Sequence, residues 1–172
     1  PHELRFLAWD HQTLVYELLF ACVSSTLKDF GLNPNGLAAH IGMTAILHTH
    51  NRRLDYHPHI HVVVPGGGVD KARKQWKKKK DKYLFNEFAL AKVFHARVLE
   101  SLNKAGLSMP DSLPQKWVVH CTRVGKGLPA LKYLSRYLYR GVISENHIVS
   151  SRNGNVTFTY VESRTGKTLY RT

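Results

Sequence analysis

The sequence predicts an α+β fold, with a largely antiparallel central sheet and helices packed on it. Three observations predict it. Helical periodicity appears in three separated stretches. Short β-branched runs appear in pairs between them. Asn, Asp, Pro and Gly sit where those runs must reverse. The chain has 172 residues, enough for a core of its own, and residues 1–172 are expected to form one domain. Hydrophobic residues make up 43% and charged residues 22%, the balance of a globular chain rather than a disordered one.

A first helix is predicted over about Asp10–Phe30. Leu14, Val15, Leu18, Leu19, Cys22, Val23 and Leu27 keep helical spacing there, and Gly31 is placed as the stop. "LNPNG" at 32–36 reads as a turn. "GMTAILHT" at 42–49 and "PHIHVVV" at 58–64 read as strands joined by the loop "HNRRLDYH", hence an antiparallel hairpin, with "PGGG" ending it as a mobile rim. Residues 71–82, "KARKQWKKKKDK", hold eight basic residues in twelve and read as a solvated loop or arm. A second helix is predicted over Asn86–Lys104, with Leu90, Val93, Phe94, Val98 and Leu102 inward and Gly106 as its stop. "KWVVHCTRV" at 116–124 reads as a third strand. A third helix opens after Gly127 with Pro129 in its first turn and runs to Arg140. "HIVSSRNGNVTFTYV" closes the chain as a hairpin turning at Asn153–Gly154.

Charge narrows the function classes. Twenty-five Lys and Arg stand against twelve Asp and Glu, a formal net charge of +13. Such an excess repels itself in a compact chain and points to a polyanionic partner. Nucleic acid is the expected one. A membrane is not, because no apolar run approaches the roughly 20 residues a span requires. No signal peptide is read, and a cytoplasmic setting is expected. Cys22 and Cys121 lie far apart and have no metal-type spacing, so they are expected to be reduced thiols. The chain begins at Pro1 rather than Met, and a piece of a longer protein is expected.

Residues 47–68 carry five histidines. Side chains alternate across a strand, so His59 and His61 share one face while Ile60, Val62 and Val64 share the other. Two imidazoles on one open face can converge on a cation. His48, on the preceding strand, is the expected third ligand. His50 and His57 are its competitors: His50 falls in the loop and His57 just before Pro58. Three imidazoles with open positions describe a catalytic site rather than a closed structural one. His2, His11, His95, His120 and His147 are read as ordinary surface or core residues.

The third helix reads "LPALKYLSRYLYRG". Leu131, Leu134 and Leu138 recur at helical spacing and are expected to face the core. Tyr133 and Tyr137 then fall together on the opposite side, one turn apart, flanked by Arg136 and Arg140. A phenol can act as a covalent nucleophile when a cation offsets its high pKa, and guanidiniums hold phosphate. Exposed tyrosines stacking on unpaired bases would also imply nucleic acid. Lys77, Lys78, Lys79 and Lys80 with Trp76 in the basic run, and Arg52 and Arg53 in the hairpin loop, are the remaining expected nucleic-acid contacts.

His59-Ile60-His61 resembles the metal-binding signature of the HUH endonucleases. "HPHIHVVVPGGG" with "YLSRY" downstream resembles the two-tyrosine rolling-circle transposases of the insertion-sequence-91 type, and the likeness runs over most of the chain. The resemblance implies an HUH-like fold with a ferredoxin- or RRM-like palm. It implies a divalent ion, Mg²⁺ or Mn²⁺, on His59, His61 and His48; three imidazoles favour the softer Mn²⁺. It implies single-stranded DNA, at transposon ends and target, as partner, and no small-molecule cofactor. Tyr133 and Tyr137 become the paired nucleophiles that cut and rejoin strands through a 5′-phosphotyrosine. The family's N-terminal cysteine-rich zinc-binding segment is expected to be missing here, and the bacterial setting puts the protein at the nucleoid when it acts. Two rivals remain. One is a basic DNA-binding domain without catalysis. The other is a histidine-triad nucleotide hydrolase, in which His59 would be the nucleophile and no metal is needed.

Overall fold

The structure is a computed structural model. It describes residues 1–79, 84–125, 127–138, 142–162 and 164–172, with the backbone alone described at 130, 134 and 136–138. Helix α1 (Arg5–Asp10) and helix α2 (Gln12–Leu32) open the chain. Four strands follow: β1 (Thr44–His50), β2 (Tyr56–Val63), β3 (Gly67–Asp70) and β4 (Gln75–Lys78). Helices α3 (Glu87–Lys104) and α4 (Leu128–Leu138) precede a closing meander of β5 (Ile148–Arg152), β6 (Asn155–Val161) and β7 (Thr168–Arg171). The fold is α+β, and among the described residues the strand pairings are antiparallel, in line with the largely antiparallel pairing the sequence predicts.

The core lies between helices. Ala8 of α1, Val15 and Cys22 of α2, and Val98 and Leu102 of α3 form one buried cluster, with Leu18, Leu19, Phe94, Tyr56 and Trp117 packed against it. Leu102 is 2% exposed, and burying such a side chain stabilises the fold by about 1.5–3 kcal/mol. Helices α2 and α3 run antiparallel: Cys22 lies beside Ser101, and Asp29 near the end of α2 pairs with Arg97. The Asn86 side chain caps α3 by accepting from the Ala89 N–H at 3.0 Å, and Gly106 leaves it at a φ of +73°.

Several expectations are corrected. The predicted first helix appears as α2, and a short helix α1, not predicted from the sequence, precedes it across His11. Gly31 is not its stop but a buried residue of α2; a Cβ there would sit 3.0 Å from the Ala39 carbonyl oxygen, so glycine permits a close crossing. Among the described residues the strands make three small sheets, β1–β2, β3–β4 and β5–β6–β7, rather than one. Residues 116–124 form no strand. Trp117 stacks on His95 of α3 with ring centroids 4.7 Å apart, and the Glu87 carboxylate accepts the Cys121 N–H. These contacts place the segment against α3. Leu131 is 63% exposed rather than core. The side chains of Leu134 and Leu138 lie outside the described residues.

"PGGG" and the basic run also change meaning. Gly67 and Gly68 belong to β3, and Gln75–Lys78 pairs with it as β4. The ribbon is not a loose arm. Val69 and His40 exchange backbone hydrogen bonds of 2.7 and 2.9 Å. A Cβ on Gly68 would lie 2.6 Å from the His40 carbonyl oxygen and 3.0 Å from Ala39 Cβ. Two backbones approach too closely for any side chain between them.

The closing meander is tied to the β1–β2 loop. Asn153 and Gly154 both take positive φ, 52° and 77°, as a tight type I′ hairpin turn requires. From β7, Arg171 donates to Asp55 Oδ1 and to the Arg53 carbonyl, both at 2.6 Å. The Arg171 and Asn51 hydrogen bonds hold the Asp55 carboxyl down to about 2, below its ordinary 3.8.

Gly68→Ala is expected to cost about 1–3 kcal/mol of unfolding free energy. Gly66→Ala, whose Cβ would meet nothing within 4 Å, is expected to be neutral. Urea denaturation of the two variants checks this, and equal midpoints would contradict the close approach.

Candidate metal centre

The centre starts from a hairpin register. β1 and β2 pair antiparallel with His48 opposite His59 and Ile46 opposite His61. Directly opposed residues share a face, and so do residues two apart on one strand. His48, His59 and His61 therefore stand on one face. Their ring centroids are 5.5 Å apart for His48–His59, 4.6 Å for His48–His61 and 4.9 Å for His59–His61.

The turn that fixes this register is closed at Asn51, whose backbone N–H donates to the Asp55 carbonyl and whose side chain adds three bonds. Asn51 Oδ1 accepts from the Arg53 and Asp55 N–H groups, and Asn51 Nδ2 donates to Asp55. Asparagine closes the loop as a backbone mimic. Between the His48–His59 and His50–Tyr56 pairs, β2 has two residues, His57 and Pro58, where β1 has only Thr49. That is a bulge, and proline is tolerated there because it has no N–H to give the ladder. Beyond the bulge His50 pairs with Tyr56, and its Nδ1 shares a 2.9 Å hydrogen bond with the Thr49 hydroxyl.

Each of the three converging histidines offers one ring nitrogen, and the three nitrogens lie within 4.8 Å of one another. Imidazole ligands at 2.0–2.1 Å from an ion lie about 3.0–3.4 Å apart. The set is therefore slightly open, a gap that ring rotation can close. The donor chemistry fits a divalent ion. His59 Nδ1 lies 2.7 Å from the His57 carbonyl oxygen. A carbonyl only accepts, so Nδ1 carries the proton and Nε2 keeps the ligating lone pair. No carboxylate or thiolate joins the group among the described residues. His50 and His57 do not belong to it either, although the His57 ring is 5.2 Å from His59.

Burial, then the neighbouring His59 and His48, lower His61 to about 4. Burial and His59 also lower His57. His61 is thus neutral at physiological pH, the form that binds metal. Tyr56, by contrast, is held protonated: burial raises its pKa, its hydroxyl donates to the Ala8 carbonyl at 3.0 Å, and Tyr16 stands 2.7 Å away.

A cavity of about 1590 Å³ adjoins the histidines. His59, His61 and His57 line it, and so does Tyr133 of α4. Tyr133 of α4 thus faces the cavity, while Leu131, two residues earlier, lies on another side and is exposed. Trp76, Lys77, Lys78 and Lys79 also line it. So do Arg5, Lys116 and Arg123, which the sequence did not single out. Six described cations meet there with no described carboxylate on the wall. A scattered set of single basic residues has no motif, so only the fold reveals it.

The other expected contacts lie elsewhere. Arg52 is exposed on the loop. Arg53 is occupied by Asp55 at 3.6 Å and lies over the Tyr160 ring at 6.0 Å. Lys80 and Arg140 lie outside the described residues, as do the side chains of Arg136 and Tyr137. Both cysteines are free, Cys22 buried and Cys121 half-buried. No helix among the described residues is long and apolar enough to cross a membrane.

The lowered His61 sets a pH signature. An unfolded imidazole takes its proton near 6.5 and the folded one near 4. Between these values the unfolded chain binds more protons, so stability falls as pH drops from about 6.5 toward 4. Melting in EDTA at about pH 7.5 and about pH 5 should show wild type losing up to about 1 kcal/mol more than His61→Asn, since solvent screens a partly exposed ring. Equal losses would contradict the crowded, partly buried site.

Comparison with known proteins identifies the family. Residues 42–172 match the family model Y2_Tnp, described as "Putative transposase". The chain is 31% identical to "Putative transposase y4qJ" of Sinorhizobium fredii (strain NBRC 101917 / NGR234) over 188 aligned positions, 96% of this chain and 47% of that protein. It is also 31% identical to "Transposase for insertion sequence element IS801" of Pseudomonas savastanoi pv. phaseolicola, over 73% of this chain and 35% of that protein. The chain thus spans about half the length of these relatives, or less. No solved structure matches it. The family match covers both the histidine hairpin and the tyrosine helix, and the chain belongs to the Y2_Tnp transposase family, in line with its resemblance to insertion-sequence-91-type transposases.

Proposed function

We propose that this chain is the DNA-nicking and strand-joining domain of a rolling-circle transposase, a single catalytic unit over residues 1–172. One observation carries the reading: Tyr133 lines the same cavity as His59 and His61, and among the described residues that cavity is walled by cations with no carboxylate. A tyrosine beside a metal-type histidine set, in a cavity that attracts polyanions, suits phosphoryl transfer to a phenol.

In this reading His48, His59 and His61 hold a divalent ion, Mn²⁺ or Mg²⁺. The ion would supply positive charge to the non-bridging oxygens of the scissile phosphate. His59 is pre-set for this by its hydrogen bond to the His57 carbonyl. The Tyr133 oxygen attacks phosphorus and loses its proton. The P–O3′ bond breaks, and the 3′-oxygen leaves as a hydroxyl after taking up a proton. The product is a 5′-phosphotyrosine, which preserves one phosphodiester for another, so rejoining needs no ATP. Tyr137, one helical turn further along α4, would be the second nucleophile for the partner strand. Arg123 and Lys116 on the cavity wall hold backbone phosphates. Single-stranded DNA at transposon ends and target is the substrate, because a phenol needs an accessible, in-line phosphate.

A labelled single-stranded oligonucleotide from an element's end, incubated with Mn²⁺ and run on a denaturing gel, is expected to give a slow protein–DNA band. EDTA, His59→Ala or Tyr133→Phe should each reduce it at least a hundredfold. Sequence-selective binding with no covalent band, over several end sequences, would leave a DNA-binding domain without catalysis. A band that persists in EDTA would remove the metal from the reading.

A further inference from the structure

We infer that Trp76 is a base-stacking platform that makes the cavity select unpaired DNA over duplex. This rests on the reading that the cavity takes DNA. Tryptophan is ordinarily largely buried, yet Trp76 is 57% exposed on a four-residue strand whose every residue is exposed. It is not loosely placed. A Cβ on Gly67 would lie 2.8 Å from Trp76 Cε2 and Cζ2, so the six-membered part of the indole lies against the Gly67 backbone. Glycine across the ribbon provides a flat seat for an aromatic ring. Gly67 is itself held by β-pairing to Lys78. The ring is thus supported from beneath while more than half of its residue remains open.

The surroundings suit a nucleotide. Strand alternation puts Lys78 on the same face as Trp76, and both line the cavity shared with His59 and His61. The Lys79 N–H donates to the Gly66 carbonyl at 3.0 Å, which returns the end of β4 to the exit of β2. Gly67 is six residues from His61, at most about 20 Å of extended chain, a span of a few nucleotides. A strand cut at the histidine centre can therefore lay a base on Trp76 while Lys77 and Lys78 take its phosphates. Every base has a π face, so the platform tolerates any sequence but needs an unstacked base. In a duplex that face is already covered.

The test measures affinity by fluorescence anisotropy in EDTA, so that binding is separated from cutting. The probes are a single-stranded oligonucleotide and its blunt duplex. Trp76→Ala is expected to weaken single-strand binding about ten- to a hundredfold and duplex binding less than about twofold. Trp76→Phe, which keeps an aromatic face, should recover most of the loss. An abasic scan of the oligonucleotide on the wild-type protein removes any question of folding. One or two abasic positions should cost affinity in wild type and cost nothing further in Trp76→Ala. Equal weakening of both DNA forms, or no weakening of either, would overturn the platform. Covalent adduct formation by the same preparations tests the nicking reading separately, since adduct formed without any Trp76 effect overturns this inference alone.

Discussion

A slip of one residue between β1 and β2 would turn every side chain of the slipped strand to the other face. The register that sets His48 opposite His59 is the constraint on which the site depends. Asn51 ties off the loop beside it, and Arg171 reaches over from β7 to hold Asp55 in that loop. Tyr56, next to the bulge, is anchored in the helical core through Ala8 and Tyr16. The loop end of the hairpin is thus fastened both to β7 and to the helical core, which holds the three imidazoles together on one face. Burial, and after it the neighbouring His59 and His48, lowers the His61 pKa and leaves that ring neutral at physiological pH.

A second constraint is backbone contact through glycine. Gly68 lets the β3–β4 ribbon press onto His40, and Gly67 seats Trp76. The ribbon is consequently a stiff basic wall rather than a tail. Its lysines join Arg5, Lys116 and Arg123 around one cavity, which concentrates part of the +13 net charge where a polyanion would lie beside the histidines and Tyr133.

Much of this is legible in the sequence. The alternation of His59 and His61 with Ile60 and Val62 places the two ligand candidates on one face, and the hairpin brings His48 to them. Asn153–Gly154 announces its turn, and Asn86 and Gly106 bracket α3. What is not legible depends on contacts distant in sequence. Periodicity cannot see that Trp117 will stack on His95 and keep residues 116–124 from forming a strand. A run of lysines looks solvated, because the pairing of Gln75–Lys78 with Gly67–Asp70 has no hydrophobic alternation to announce it. The leucine stripe of α4 suggests a core face, yet Leu131 is exposed and Tyr133 lines the cavity, since tertiary placement overrides a short helix's own pattern. His50 competes with His48 on spacing alone, and only the bulge at His57–Pro58 separates them.

The most direct measurement is a crystal structure of the protein grown with Mn²⁺, with anomalous diffraction to locate the ion. One strong peak is expected, bonded to ring nitrogens of His48, His59 and His61, with the Tyr133 hydroxyl opening onto the same cavity and His50 remote from the ion. A peak ligated by His50 or His57 in place of His48 would contradict the hairpin register as the origin of the site, and so would no peak on these histidines at saturating Mn²⁺.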